Sequence, residues 1–242
     1  MPASTQLKLL PQSFYIGVNR DDPIRFYHLP LLGRMYRRRV ELCLDECRGG
    51  QRVLEIGFGS GMTFLNLNEK YREIHGLDLT ADVNAVASAY RARGVESSLF
   101  NGDIVSMPFP DQHFDTVLLI SILEHLKADQ LAQAMAEVRR VLKPGGQMVY
   151  GVPVERRLMA FMFRVLGFDI REHHFSSEQD VAAAATTQMQ RVRLVDMQAT
   201  PSLFGSVYQV GHFTRPEAPT SPSAPSAHTA VPAASERNDL HR

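Results

Sequence analysis

Short apolar runs and stretches with helical periodicity alternate through the middle of the chain. Runs typical of buried strands lie at residues 52–56, 114–120 and 147–152 and predict the first, fourth and fifth strands. Residues 75–78 end a second strand, and residues 97–100 suggest a third. Before the last run, apolar residues recur every three or four positions over 131–142, which predicts a helix with Asp129 as its N-cap and residues 143–146 as its stop. Strands that alternate with helices predict a parallel sheet covered by helices on both faces.

Residues 191–199 and 206–213 are predicted to form two further strands with no helix between them. Such a pair predicts an antiparallel hairpin at one edge of the sheet. The predicted fold class is therefore α/β. We expect a Rossmann-like, doubly wound and mostly parallel seven-stranded sheet that carries an antiparallel edge hairpin.

The last segment of the chain, residues 216–242, differs in composition from the rest. Of its 27 residues, 17 are Pro, Ala, Ser or Thr, and very few are bulky and apolar. Such a segment cannot bury enough apolar surface to offset the entropy cost of folding. We therefore expect a disordered tail, with the folded part ending near Arg215.

Charge and cysteine content narrow the possible partners and compartment. The 242 residues carry 26 Lys and Arg against 26 Asp and Glu, so the basic excess usual in nucleic-acid-binding proteins is missing and we expect no nucleic-acid partner. Cys43 and Cys47 can complete neither a four-ligand zinc site nor a disulfide framework, which predicts no metal and favours a reducing cytoplasm. Neither a signal peptide nor an apolar run of about 20 residues is visible, so any membrane contact is expected to be peripheral.

A glycine-rich sequence, Glu55-Ile-Gly-Phe-Gly-Ser-Gly61, directly follows the first predicted strand. Glycine lets the backbone turn tightly and approach a ligand without an intervening Cβ atom. A helix beginning right behind the loop would point its free N–H groups into the same crevice. Open α/β sheets bind their ligands at this place, although a purely structural turn remains the alternative.

The spacing of the glycines argues against two common nucleotide sites. A dinucleotide fingerprint needs a glycine three positions after the second one, but Met62 stands there and Gly61 comes one position early. No Lys-Ser/Thr pair follows, so the loop is not a P-loop. The Glu55 carboxylate just ahead of the loop favours a ligand with a positive centre over a pyrophosphate.

Several motifs resemble, in order and spacing, those of class I S-adenosylmethionine-dependent methyltransferases, in particular the broad small-molecule group. They are residues 55–61, Met107-Pro-Phe-Pro-Asp-Gln-His-Phe-Asp115, Leu123-Glu-His-Leu126 and Arg140-Val-Leu-Lys-Pro-Gly-Gly146. The resemblance covers roughly residues 52–153. It implies a methyltransferase domain at 51–215 with a lid insertion at 155–175, preceded by a helical arm or substrate cap at 1–50 and followed by the tail.

The resemblance also implies the cofactor, S-adenosylmethionine, and the residues that bind it. Glu55 would steer the ammonium group through the loop, Asp78 would accept both ribose hydroxyls, and Asp103 would accept from the adenine amino group. The expected cofactor-binding residues are Glu55, Gly57, Phe58, Gly59, Gly61, Asp78, Leu79, Asp103, Ile104, Ile120 and Ser121. The alternative roles are a solvated turn for Asp78 and an Asx-turn for Asp103.

Methyl transfer from a sulfonium is an in-line displacement, so the main task of the protein is to hold the reacting atoms in line in a partly dry site. A general base is needed only when the acceptor carries a proton that it does not lose by itself. No catalytic residue is therefore assigned. His173 and His174, after the fifth strand, are weak candidates for a base, and Glu124 and His125 are expected to be structural.

The acceptor is narrowed by motifs that are missing. After the fourth strand the chain reads Ser121-Ile-Leu-Glu124, so the N/D-P-P-Y/F clamp for planar amines is absent, as is a Pro-Cys nucleophile. This leaves O-, N- or C-methylation of a small-molecule or lipid-like acceptor. The apolar segment 158–168 favours an apolar acceptor or a membrane surface, with ordinary core packing as the alternative.

The arm contributes a basic amphipathic pattern. Arg34, Arg37, Arg38 and Arg39 lie beside apolar residues, which is consistent with an anionic surface or an acidic substrate group, or with a solvated helix face. Two other function classes stay open. One is a non-methylating member of the fold, such as an aminopropyl transferase or a cofactor-binding partner subunit. The other is a nucleotide-linked oxidoreductase, which the Met62 spacing disfavours.

Overall fold

The computed structural model describes residues 4–16, 24–30, 32–154, 175–198 and 205–217. The predicted lid at 155–175, with His173 and His174, lies outside these ranges apart from Phe175. The predicted tail at 216–242 lies outside them apart from its first two residues.

The strands form one mixed sheet in the order β3-β2-β1-β4-β5-β7-β6. They are β1 (Gly50–Ile56), β2 (Tyr71–Asp78), β3 (Ser97–Asn101), β4 (Phe114–Ile120), β5 (Leu142–Pro153), β6 (Gln190–Gln198) and β7 (Ser206–Thr214). Strand β7 runs antiparallel to both β5 and β6, and the other pairs are parallel. The predicted fold class, including the antiparallel edge hairpin, is confirmed.

Helices cover both faces of this sheet. They are α1 (Gln12–Ile16), α2 (Leu32–Glu46), α3 (Phe64–Leu67), α4 (Val83–Arg91), α5 (Ala128–Val141) and α6 (Glu178–Gln188), with a 3-10 helix at Ile24–His28 before α2 and another at Leu123–His125 before α5. Buried residues of α2, α3 and α4 join the core on one face. Those of α5 and α6 join the core on the other face.

Two details around α5 differ from the prediction. The helix begins at Ala128 with Lys127 as N-cap, so Asp129 is not the cap. The reason is that the Gln130 side-chain oxygen accepts the Lys127 N–H at 3.1 Å, which closes the first turn earlier. Residues 143–146 do not form a separate stop either, because β5 already begins at Leu142.

The family motifs around Asp115 and Arg140 brace the amino edge of the sheet. Asp115 accepts the Gln51 and Arg52 backbone N–H groups at 2.9 and 2.7 Å and pairs with Lys143 at 2.6 Å. Asp115 therefore connects β4 with β1 and β5. The Arg140 guanidinium donates to the carbonyls of Met107 and Phe109 and to Glu137 and Asp111, so it holds the loop before β4 against α5.

The Arg140–Glu137 pair makes stability depend on acid. The hydrogen bond from Arg140 lowers the pKa of Glu137. A carboxyl whose pKa is lowered by folding stabilises above its unfolded pKa, about 4.3 for Glu, and loses that contribution as pH falls through the folded value. We expect the free energy of unfolding, measured in urea, to decrease as the pH is lowered past about 4.3. Glu137→Gln should flatten this slope; an unchanged slope would contradict the pairing.

Candidate active site at the carboxyl edge of the sheet

The loop after β1 adopts the backbone that glycine allows. Gly57, Gly59 and Gly61 have φ of +71°, +52° and +72°, in the left-handed region that other residues rarely adopt. The Gly57 N–H donates to the Leu77 carbonyl at 2.7 Å, which holds the loop against the end of β2. The loop thus turns sharply across the carboxyl ends of two neighbouring parallel strands.

Asp78, the last residue of β2, fastens the other side of this loop. One oxygen of its carboxylate accepts the Gly59 N–H at 3.0 Å, and the other accepts the Thr80 and Ala81 N–H groups at 2.9 and 3.0 Å. A carboxylate has about four acceptor positions, so at least one remains open. Asp78 therefore makes the contacts of a turn residue and keeps acceptor capacity for a ligand.

Glu55 lies beneath the loop and is 4% exposed. The Thr63 hydroxyl donates a hydrogen bond to its carboxylate. Thr63, which was not predicted as a site residue, therefore anchors the Glu55 charge.

The helix expected directly after Gly61 is only the single turn α3. The Asn66 side chain in that turn binds the N-terminal arm: it donates a hydrogen bond to the Gln6 carbonyl at 2.8 Å and accepts one from the Lys8 N–H at 3.0 Å.

The end of β3 lies next to Asp78, because the Gly102 N–H donates to the Asp78 carbonyl at 3.1 Å. Asp103 forms an Asx-turn in which its Oδ1 accepts the Val105 N–H at 3.1 Å, and Ile104 is buried. Leu79 has the opposite environment: its side chain is 68% exposed beside Asp78. An open apolar side chain here leaves a surface on which a flat ring can pack.

The end of β4 carries a strained residue. Ser121 has φ of +56°, and Gln112 is the one other non-glycine residue in the described ranges with positive φ. The Ser121 N–H donates to the Gly151 carbonyl at 2.8 Å, and its Oγ lies 3.1 Å from the Tyr208 hydroxyl. Strain of this kind persists where surrounding contacts impose it and is often found at functional sites.

Ile122 and Tyr208 complete the site, although the sequence reading did not select them. A Cβ atom at Gly57 would lie 2.0 Å from Ile122 Cδ1, so the loops after β1 and β4 pack directly on each other. Ile122 directly follows Ser121, a predicted site residue, so its position in the sequence could have indicated that it belongs to the site. Tyr208 is distant in sequence and reaches Ser121 only because β7 lies beside β5.

The residues after Ser121 are tied into the fold. Glu124 is 3% exposed, and its backbone carbonyl accepts the Phe175 and Ser176 N–H groups at 2.8 and 3.2 Å. Within the described part of the chain, no group of three His, Cys, Asp or Glu residues is placed to hold a metal ion. In the same residues, no helix has the length and apolar character needed to cross a bilayer.

Residues 53–146 match the family of methyltransferase domains. The chain is 38% identical over 106 residues to the uncharacterized methyltransferase YcgJ of Bacillus subtilis, covering 43% of this chain and 41% of that protein. It is 36% identical over 104 residues to a fatty-acid O-methyltransferase of Mycolicibacterium smegmatis (42% and 36% covered). It is 34% identical over 121 residues to a probable tRNA methyltransferase 9B of Bos taurus (49% and 25%). The chain thus spans less than half the length of these relatives.

Among solved structures, the fold is similar to that of the N-methyltransferase NodS from Bradyrhizobium japonicum in complex with S-adenosyl-L-homocysteine. The TM-score is 0.63 at 21% identity, and the match covers 85% of this chain and 98% of NodS. At this identity the likeness shows the fold.

The matched segment and the fold together define the protein class: residues 53–146 belong to a domain of the class I S-adenosylmethionine-dependent methyltransferases. The cofactor of the domain is S-adenosylmethionine. Both the family and the cofactor predicted from the motifs are confirmed.

Proposed function

We propose that this protein transfers a methyl group from S-adenosylmethionine to an oxygen, nitrogen or carbon atom of a small-molecule or lipid-like apolar acceptor. The observation that carries the proposal is the hydrogen bond from Gly59 to Asp78. It joins a left-handed glycine loop to an acidic strand end that keeps acceptor capacity. This is the arrangement that the cofactor needs for its amino-acid part and its ribose.

The residues of the site fit this cofactor in chemical type. Asp78 offers a carboxylate acceptor for ribose hydroxyls, and the exposed Leu79 offers an apolar surface for the adenine. Asp103, with one oxygen engaged in its Asx-turn, would accept from the adenine amino group. The other proposed cofactor-binding residues are Glu55, Gly57, Phe58, Gly59, Gly61, Ile104, Ile120 and Ser121.

S-adenosylmethionine supplies an electrophilic methyl group on a positively charged sulfur. The residues of the chain position the reactants and exclude water. Gly57 and Ile122 are in direct contact, which packs the two loops on each other beside this site. Ser121, fixed by the Gly151 carbonyl and by Tyr208, lines the place where the methyl group and the acceptor meet. The proposal requires no general base.

The acceptor class rests on two supports. One of the relatives is named a fatty-acid O-methyltransferase, and the clamp sequence of the amine-methylating enzymes is absent after β4. The apolar segment 158–168 is proposed to cover the acceptor, with the arm as a cap from the other side. Peripheral contact with a membrane surface is part of the same proposal.

The acceptor class is tested by incubating the protein with methyl-labelled S-adenosylmethionine and a cell extract separated into lipid, polar small-molecule, RNA and protein fractions. We expect the label in the lipid or small-molecule fraction. Label in RNA or protein would contradict the proposed acceptor class. Binding of the cofactor without label in any fraction would favour a non-methylating member of the fold.

Leu79 gives a test of the adenine position. Because its side chain is exposed, Leu79→Ser is expected to leave the free energy of unfolding within about 0.5 kcal/mol. Losing an apolar contact with the adenine should weaken S-adenosylmethionine binding by about 1–2 kcal/mol in calorimetry. Val192→Ser, at a 48% exposed position on β6, is the matched control and should bind normally. Equal affinities for the two variants would place the adenine elsewhere.

A further inference from the structure

Arg39 lies at the same edge of the sheet as the proposed methyl-transfer site. It belongs to α2, which packs on β4, β5 and β7. Its guanidinium carbon is 4.1 Å from the ring centroid of Tyr36 and 5.2 Å from that of Tyr208. Tyr208 pairs with Pro153, the last residue of β5. The guanidinium therefore lies at the carboxyl edge of the sheet.

Only one side chain separates Arg39 from the end of β4. The Tyr208 ring faces Arg39, and its hydroxyl lies 3.1 Å from Ser121 Oγ. Ser121 is the residue proposed to line the place where the methyl group meets the acceptor. A group bound by Arg39 would thus belong to a molecule that also reaches the reacting centre.

The charge of Arg39 is not balanced within the described residues. The neighbouring Arg38 lies 3.5 Å from Asp45 and 3.9 Å from Glu41, but no carboxylate of the described ranges is within ion-pair distance of Arg39. Its Nε is enclosed and has no hydrogen-bond acceptor there, and the guanidinium donates a hydrogen bond to Tyr27, a phenol and not a carboxylate. Burial raises the pKa of Tyr208, so this phenol stays neutral and supplies no negative charge.

A partly buried guanidinium with no carboxylate beside it in the described part of the chain is costly, because it loses hydration that the ring faces and the Tyr27 hydroxyl replace only in part. A planar guanidinium binds carboxylates and phosphates through paired N–H donors. We propose that Arg39 binds an oxyanion of the methyl acceptor, a carboxylate or a phosphate monoester, while the Tyr36 and Tyr208 rings contact the adjoining apolar part. This inference deepens the proposed function and rests on it.

Three probes with the same eight-carbon chain test the inference: octanoate, octyl phosphate and octanol. Each is titrated calorimetrically into the wild-type protein, with and without S-adenosylhomocysteine. We expect at least one anion to bind about tenfold or more tightly than octanol, as is typical of charged hydrogen bonds. A preference for octanoate indicates a carboxylate acceptor and a preference for octyl phosphate a phosphate ester.

Substitutions assign the preference to Arg39. Arg39→Met should remove it while octanol binding persists, and Arg39→Lys, which keeps the charge but lacks the paired donors, should reduce it. Arg34→Met removes a charge from the exposed side of the same helix and should leave the preference unchanged. If Arg39→Met does not fold, the comparison of Arg39→Lys with Arg34→Met still decides.

Two kinds of failure can be told apart. If the wild-type protein does not bind S-adenosylhomocysteine, the proposed function is overturned. The titrations without that ligand still test the role of Arg39. Equal binding of all three probes, no binding of any probe, or a preference that survives both Arg39 substitutions would overturn the inference about Arg39.

Discussion

Substitution of Gly59 by valine is expected to abolish S-adenosylmethionine binding. Gly59 has φ of +52°, a conformation that β-branched residues avoid, and its N–H is held by Asp78. A valine would displace the backbone from that contact and place a side chain in the path of the methionine part. We expect a loss of more than about 3 kcal/mol, above 100-fold in Kd, measured by calorimetry. Asp78→Ala should cost about 1–3 kcal/mol.

The control for backbone strain is Gly94→Val. Gly94 has φ of +77°, and no atom lies within 4 Å of where its Cβ would be. This variant should lose about 1–3 kcal/mol of stability, as is also expected of Gly59→Val, but bind the cofactor normally. If Gly59→Val and Asp78→Ala both bind as tightly as Gly94→Val, the cofactor does not contact the loop.

Asp115→Ala is expected to destabilise the protein strongly without changing the cofactor site. Its carboxylate holds two β1 backbone N–H groups and Lys143 at the amino edge of the sheet, opposite the proposed site. Removing it leaves these donors without their acceptor. We expect the free energy of unfolding, measured in urea, to fall by about 2–4 kcal/mol. The folded protein should keep its affinity for S-adenosylmethionine.

Asp111→Ala is the matched control in the same motif. The Asp111 side chain is 70% exposed in its pair with Arg140, so its loss should cost about 1 kcal/mol or less. Equal destabilisation by the two alanine variants would show that the contacts of Asp115 do not brace the sheet. A loss of cofactor affinity in Asp115→Ala would contradict the claim that the Asp115 contacts at the amino edge are independent of the cofactor site at the carboxyl edge.

The sheet could be predicted from the sequence because β1, β4 and β5 contain apolar runs between helical patterns. Strands β3 and β6 are mixed in composition and mostly exposed. The predicted edge hairpin is the β6–β7 pair, and both strands lie within a residue of their expected bounds. The family and cofactor could be predicted because four motifs stand in the order and spacing of the methyltransferases, among them a glycine loop whose backbone few other residues can adopt. The ends of helices were harder to predict, because a single local hydrogen bond can shift a helix end by a residue or two. The Lys127 cap of α5 is an example.

Contacts between distant segments could not be predicted. Tyr208 reaches Ser121 only because β7 inserts between β5 and β6. The order of strands in a sheet cannot be predicted from any local sequence pattern. Arg39 belonged to a basic pattern that also suits a solvated helix face, and only the position of α2 against Tyr208 encloses it. The Asp115 motif indicated the family, but its bracing role became visible only in the pairing of β1 with β4.

The central claim, a cofactor site for S-adenosylmethionine at the carboxyl edge of the sheet, is tested most directly by calorimetry on the wild-type protein. S-adenosylhomocysteine and NAD are titrated separately into the same preparation, and then S-adenosylmethionine is titrated into protein saturated with S-adenosylhomocysteine. We expect one site that binds S-adenosylhomocysteine, no binding of NAD, and competition between the two sulfur compounds. Binding of NAD without binding of S-adenosylhomocysteine would contradict it.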